Sequence, residues 1–147
     1  MRVQPLSLNS YNYKQNSRSV NFQAGIKPPS KDAISDLKVF MHHIYEYKKG
    51  LRNLILTTEK ASNKEYIKYR LEKENIPYLI QDVSERSINV FFGNENCIKV
   101  VSTFDRHLNK LSPEQDFMLG IMLGYDRILQ CKRYMQRLGD KLKPIKG

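Results

Sequence analysis

Residues 51–93 read LRNLILTTEKASNKEYIKYRLEKENIPYLIQDVSERSINVFFG, and this stretch decides the fold. Leu54-Ile55-Leu56-Thr57 is a short apolar run of the kind a buried strand shows, so Leu51 to Thr58 reads as a strand. Ser62 followed by Glu65 has the spacing of a capping box. The helix it opens carries Tyr66, Ile67, Tyr69 on its flank and Leu71, and reaches about Glu74. Asn75 and Pro77 end it. Tyr78 to Val83 and Ile88 to Gly93 are two further strands. The polar turn Ser84-Glu85-Arg86 joins them as a hairpin.

Working outward, Gly93-Asn94-Glu95-Asn96 opens another helix with Ile98, Val101 and Phe104 along one face. The order from Leu51 is β-α-β-β-α. On the N-terminal side, Leu37, Phe40, Met41, Ile44 and Tyr45 recur at i, i+3, i+4, i+7 and i+8, which predicts a helix starting after Ser35. Lys48 and Lys49 suit its C-terminal dipole, and Gly50 suits the residue after its end. Val39 to Met41 also fits a short strand, because β-branched and aromatic residues crowd there.

The last element begins at Ser112-Pro113-Glu114-Gln115. Ser112 suits an N-cap, Pro113 the first helical position, and Gln115 completes a capping box. Phe117, Met118, Ile121, Met122, Tyr125, Ile128 and Leu129 continue a helical stripe to about Leu138, and Gly139 suits the stop. Gly120 and Gly124 lie one turn apart on it, each costing about 1 kcal/mol of helix propensity. Either another backbone approaches closely there, which makes both glycines interface candidates, or the element breaks into two helices.

The 147 residues suit one domain. Residues 1–35 read as a disordered leader, rich in Asn, Ser and Gln and punctuated by Pro28-Pro29-Ser30. Val20-Asn21-Phe22 within it also fits a short docked strand. Residues 36–139 form the α/β domain, and 140–147 a basic tail.

The formal charge of +10 is concentrated at the ends. Residues 1–35 hold five Lys/Arg and one Asp, residues 36–126 thirteen of each sign, and residues 127–147 seven Lys/Arg and one Asp. The body is therefore neutral. The basic ends suit any polyanion, whether RNA, an acidic protein or a membrane surface. No apolar run approaches the ~20 residues of a membrane span. The start of the chain lacks the apolar stretch of a secretory signal. Two cysteines are too few for a disulfide framework and fit a reducing cytoplasm.

Three separated blocks carry a resemblance to a known family. They are Lys38-Val39-Phe40-Met41-His42-His43-Ile44-Tyr45-Glu46 with Lys48-Lys49-Gly50 and Arg52-Asn53-Leu54; Ile88-Asn89-Val90-Phe91-Phe92-Gly93 with Cys97; and Glu114 to Cys131, EQDFMLGIMLGYDRILQC. Together they make residues 37–134 resemble the bacterial family called domain of unknown function number two-thousand-and-twenty-three. The resemblance implies three strands with about five helices, and homodimerisation. Genes of that family often neighbour, or are joined to, flavodoxin. With the order read from the residues, the expected fold is α+β, a three-stranded mainly antiparallel sheet packed with about five helices.

Several residues could carry chemistry, and each has a plainer account. His42 and His43 point about 100° apart on a helix, so they make poor joint metal ligands. Either could pair with Glu46 as an acid–base couple; the plainer account is one structural and one exposed histidine. Cys97 near a helix start is a reactive-thiol candidate, since a helix N-terminus lowers a thiol pKa. Its plainer role is a small buried residue. Tyr125, Asp126 and Gln130 form a polar cluster that could line a pocket completed by His43, or satisfy itself in a helix contact.

A metal site from Cys97, Cys131 and His107 has no supporting spacing, so no metal and no cofactor is expected. Gly93-Asn94-Glu95-Asn96 lacks the glycine pattern of a nucleotide loop. Adjacent Phe91 and Phe92 point to opposite faces of a strand, so at most one could stack on RNA.

The leading expectation is a non-enzymatic binding or regulatory module acting as a homodimer. An acidic redox protein such as flavodoxin is its candidate partner. A small enzyme or ligand-binding protein with a His/Glu/Tyr/Asp pocket is the alternative, and RNA binding through the basic ends the second alternative.

Overall fold

The structure, a computed structural model, describes residues 29–139. The expected strand at Val20 to Phe22 and the basic tail lie outside these residues. The chain divides after Thr103 into two compact units.

In the first unit, α1 (Lys31–Asp36) is capped by Ser30, whose hydroxyl accepts from the Ala33 N–H at 3.2 Å. This short helix lies in the stretch expected to be a leader. A break at Leu37 separates it from α2 (Lys38–Lys48). Val39 to Met41 are helical, so the strand alternative does not hold. Leu37, Phe40 and Ile44 are buried. Gly50 takes a positive φ of 73° after the end of α2, as expected of a helix stop.

The sheet comprises β1 (Leu54–Lys60), β2 (Tyr78–Asp82) and β3 (Ser87–Gly93) in the order β1-β3-β2, antiparallel throughout. Between β1 and β2 lies α3 (Lys64–Lys73). The expected Ser62 capping box is absent. A 3₁₀ turn over Ala61–Asn63 delays the helix, and Asn63 precedes it without a side-chain cap bond. Ser62 is thus spent in the turn that carries the chain off the sheet. Asn75, at φ 54°, ends α3. The Ser84 hydroxyl accepts from the Arg86 and Ser87 N–H groups and so closes the β2–β3 turn.

Strand alternation sorts the core. Ile55, Tyr78, Ile80, Ile88, Val90 and Phe92 share one sheet face and pack with Phe40 and Ile44 of α2 and Ile67 and Leu71 of α3. Phe40 and Phe92 meet edge to face at 5.8 Å. Leu54, Leu79 and Phe91 point the other way and are also buried. Neither Phe91 nor Phe92 is exposed, so neither can serve as an RNA platform. A polar row, Thr58–Asn89–Gln81, crosses all three strands, and Thr58 Oγ1 donates to Asn89 Oδ1 at 2.8 Å. After β3, Asn94 caps α4 (Glu95–Val101), which buries Ile98 and Val101 and contacts β2 and β3.

Gly93 ends β3 at φ 148°. A Cβ there would run into the carbonyl oxygen of Asn53, the same oxygen that accepts from the Asn94 N–H at 2.8 Å. The bare backbone lets the chain leave the sheet against β1.

In the second unit the stretch from Ser112 to Leu138, read as one long helix or one broken at its glycines, is two helices: α5 (Pro113–Met122) and α6 (Arg127–Leu138). The predicted start holds. Ser112 and Gln115 form a reciprocal capping box with Pro113 at the first turn. The break comes at Gly124, φ 79°. There the Gly124 N–H donates to Ile121 O at 3.0 Å and the Tyr125 N–H to Gly120 O at 3.1 Å. That is the double bond of a left-handed helix stop, open to glycine at no steric cost. Asp126 then starts α6 as its N-cap, accepting from the Leu129 N–H at 2.8 Å.

The two helices run antiparallel. Asp116 pairs with Arg133, Phe117 with Tyr134, Gly120 with Gln130, and the Leu111 carbonyl with Arg137. From Leu111–Arg137 to Gly120–Gln130, one partner moves up the chain as the other moves down. Gly120 is the close-approach glycine, because a Cβ there would overlap the end of the Gln130 side chain. Gly124 has nothing within 4 Å of such a Cβ and serves the turn alone.

Candidate functional site

The polar residues of α2 converge on one carboxylate. His42, His43 and Glu46 stand four and three residues apart on the helix, the spacings that bring side chains together. His42 Nε2 lies 2.9 Å from Glu46 Oε1, and His43 Nδ1 lies 3.8 Å from Glu46 Oε2. Sequence reasoning missed the fourth member. Arg52, just past the end of α2, donates through Nη1 to Glu46 Oε2 at 3.4 Å and lies 3.4 Å from His43 Nδ1. The chain reversal at Gly50 returns it to the helix it has just left. Arg52 stood within a block quoted for the family resemblance, but no helical spacing could tie it to Glu46.

The two histidines have different surroundings. His42 is largely exposed and stacks on Tyr45 with ring centres 6.2 Å apart, whereas His43 is mostly covered. Burial first, and the Arg52 guanidinium second, push the His43 imidazole below its ordinary range, with Glu46 pulling the other way. The neutral form of the His43 ring is thereby favoured, held against a carboxylate–guanidinium pair. A neutral imidazole can accept one hydrogen bond and donate another.

The second set of predicted residues sits at the α5–α6 turn. Asp126 spends Oδ1 on the N-cap of α6. Tyr125 is half exposed in the turn itself. Gln130 lies over Gly120 in the hairpin contact. Gly120 and Gly124 are both accounted for within the hairpin.

Cys97, in the first turn of α4, runs against the expected lowering. Burial pushes its thiol up, because desolvation disfavours the thiolate. Cys131 is exposed on α6. Among the described residues no group of three His, Cys, Asp or Glu side chains is placed to hold a metal ion. No helix among them is long and apolar enough to cross a membrane.

Among the described residues, an antiparallel three-stranded sheet with six α-helices and a polar cluster on one of them defines an α+β protein. Its family follows from the sequence match: the chain belongs to the family described as Protein of unknown function (DUF2023), whose profile matches residues 38–137. No curated protein sequence matches the chain.

Proposed function

We propose that the protein is a binding module that works as a homodimer through the α5–α6 hairpin. The observation that carries this reading is an apolar face left open on both helices. No residue of α6 is buried. Ile128 is 69% exposed, Tyr125 49%, Met118 44%, Met135 43% and Ile121 36%.

These residues share one side. Phe117 meets Tyr134, and Gly120 meets Gln130. One residue further along each helix lie Met118 and Met135, and Ile121 and Cys131. In an antiparallel pair, equal steps past the contact line turn toward the same side. Ile128, one full heptad before Met135, extends the row. Apart from Lys132, which stands four residues after Ile128 and three before Met135 at its edge, the row is uncharged, and an apolar patch is complementary to itself, as a two-fold interface requires.

Sedimentation velocity across micromolar to millimolar protein tests the reading. The expected result is a dimer that Ile121→Lys with Met135→Lys converts to a monomer of unchanged helix content. A wild-type chain that stays monomeric throughout overturns it.

A second reading, an acidic protein partner such as a flavodoxin, draws on the charge of α6. The helix holds Arg127, Lys132, Arg133 and Arg137 and no acidic residue. Asp116 engages only Arg133 and Arg137, which leaves two cations to attract an acidic surface. Titration with flavodoxin at low and high salt checks it, and binding that is absent or insensitive to salt removes it. The enzyme alternative built on His43, Glu46, Tyr125 and Asp126 has less support, because the Asp126 carboxylate is committed to its helix cap.

A further inference from the structure

On the sheet unit, α2 and α3 enclose an open cleft of about 450 Å³ lined by Met41, Ile44, Tyr45, Lys48, Lys49, Arg70 and Glu74. Its lining divides by chemistry. Met41, Ile44 and Tyr45 supply an apolar and aromatic part, with the Tyr45 ring half exposed. Lys48, Lys49 and Arg70 supply three positive charges against one carboxylate.

That carboxylate does not satisfy all three. Glu74 Oε2 takes Lys48 Nζ at 2.7 Å, and Oε1 takes Arg70 Nη2 at 3.3 Å. Among the described residues Lys49 has no carboxylate partner; its Nζ lies 5.6 Å from the centre of the Tyr45 ring. Arg70 keeps a buried Nε–H that meets no acceptor among the described residues. A buried donor of this kind ordinarily has a partner. The cleft thus carries a net charge of +2 beside an exposed aromatic ring, and its volume falls in the ~300–1,000 Å³ range of small-molecule sites.

We infer that this cleft is a binding site for a small phosphate monoester with a planar aromatic body. The dianionic head matches the excess of two charges, since a phosphate monoester carries about −1.5 to −2 at neutral pH. Arg70 and Lys48 would hold it in place of, or beside, Glu74. The aromatic body would lie on Tyr45, where Lys49 now sits. A carboxylate monoanion would leave one charge unmatched. This site is independent of the hairpin and of any association through it.

Two-dimensional NMR titration of the full chain tests the assignment, with phenyl phosphate, inorganic phosphate and benzyl alcohol as probes. Phenyl phosphate is expected to give saturable shifts confined to α2 and α3, with inorganic phosphate weaker and benzyl alcohol silent. Lys49→Gln, at an exposed position that leaves the fold intact, should weaken phenyl phosphate about fivefold, the scale of one exposed charge contact. Tyr45→Ala should abolish the preference for phenyl phosphate over inorganic phosphate.

Glu74→Gln should tighten binding by a similar factor, because it removes the competing carboxylate. A purely structural role for Glu74 would not produce that gain. The inference is overturned if shifts are absent at millimolar phenyl phosphate, if they map outside α2 and α3, if benzyl alcohol binds equally well, or if the three variants bind as the wild type does.

Discussion

The sheet unit and the helical hairpin use the same residue types to opposite ends. In the sheet unit, isoleucine, leucine and phenylalanine vanish into a core between β1–β3 and the helices α2 and α3. In the hairpin, Ile128 and Leu129 stand mostly in solvent, and α6 is held largely by polar contacts: an arginine fork, a capped turn and a side-chain-to-carbonyl bond. Burial secures the first unit; in the second, among the described residues, side-chain burial is confined to Phe104, Leu111, Leu119 and Leu123, and α6 itself, with no buried residue, is secured by directional bonds. The contrast teaches that an apolar residue is informative only where its surroundings are known. The same contrast fixes what each unit will tolerate.

The largest effect belongs to the core. Phe92→Ala removes a fully buried ring packed on Phe40. It should cost about 3–5 kcal/mol, a large part of the ~5–15 kcal/mol that holds a domain together. Ile128→Ala in the hairpin should change the urea midpoint of the dilute monomer hardly at all, within about 0.5 kcal/mol. Similar losses at both positions would erase the distinction between the units.

Next comes one substitution made in both units. Gly93→Ala places a Cβ against the Asn53 backbone at a φ of 148°. Neither atom can yield, so a loss of at least about 2 kcal/mol is expected in thermal melts. Gly120→Ala meets the tip of Gln130, a side chain that can swing away. The gain of about 1 kcal/mol in helix propensity offsets the displaced contact, and the net change should stay within about 1 kcal/mol of zero.

Two carboxylates sharpen the comparison through pH. In the hairpin, Arg133 and Arg137 hold the Asp116 carboxyl below its ordinary value of 3.8. A lowered folded pKa contributes stability that is present above 3.8 and is lost as pH falls through the folded value. Asp116→Asn should loosen α6 by about 1 kcal/mol at neutral pH, read as faster amide exchange in that helix. In strong acid the variant and the wild type should converge.

In the sheet unit, burial pushes Glu59 above its ordinary 4.5, the Thr57 hydrogen bond only partly opposing it. The sign is reversed: the folded state keeps a proton that the unfolded chain has released, so this contribution falls as pH rises from 4.5 through the folded value. Glu59→Gln should therefore stabilise slightly at pH 7, by roughly 0.5 kcal/mol, in denaturation curves at pH 4 and pH 7. A loss at pH 7 would contradict the assignment.

The candidate site was only partly legible in the sequence. His42, His43 and Glu46 converge because helical spacing alone brings them together. Arg52 was invisible, because it returns to Glu46 through a turn whose direction no periodicity encodes. The cleft between α2 and α3 escaped for a similar reason: Lys48 and Lys49 stand at the end of α2, and Arg70 belongs to α3. Asp126 and Gln130 looked like a shared face on one continuous helix. The break at Gly124 turned the first into a cap and the second into the partner of Gly120.

By itself the sequence determined most of the elements and, from Leu54 to Val101, the order of the strands and α-helices. The apolar run at Leu54, the hairpin turn at Ser84 to Arg86, the Ser112 capping box and the stops at Gly50, Asn75 and Gly139 are local events, settled by side-chain periodicity and by which residues tolerate a positive φ. Tertiary structure decided the rest. It placed β3 between β1 and β2, buried both Phe91 and Phe92, folded the closing segment back on itself, and left one face of that hairpin bare. These outcomes depend on which surfaces meet across long stretches of chain. Packing chooses among them by the area removed from water, and no single stretch of sequence contains that sum.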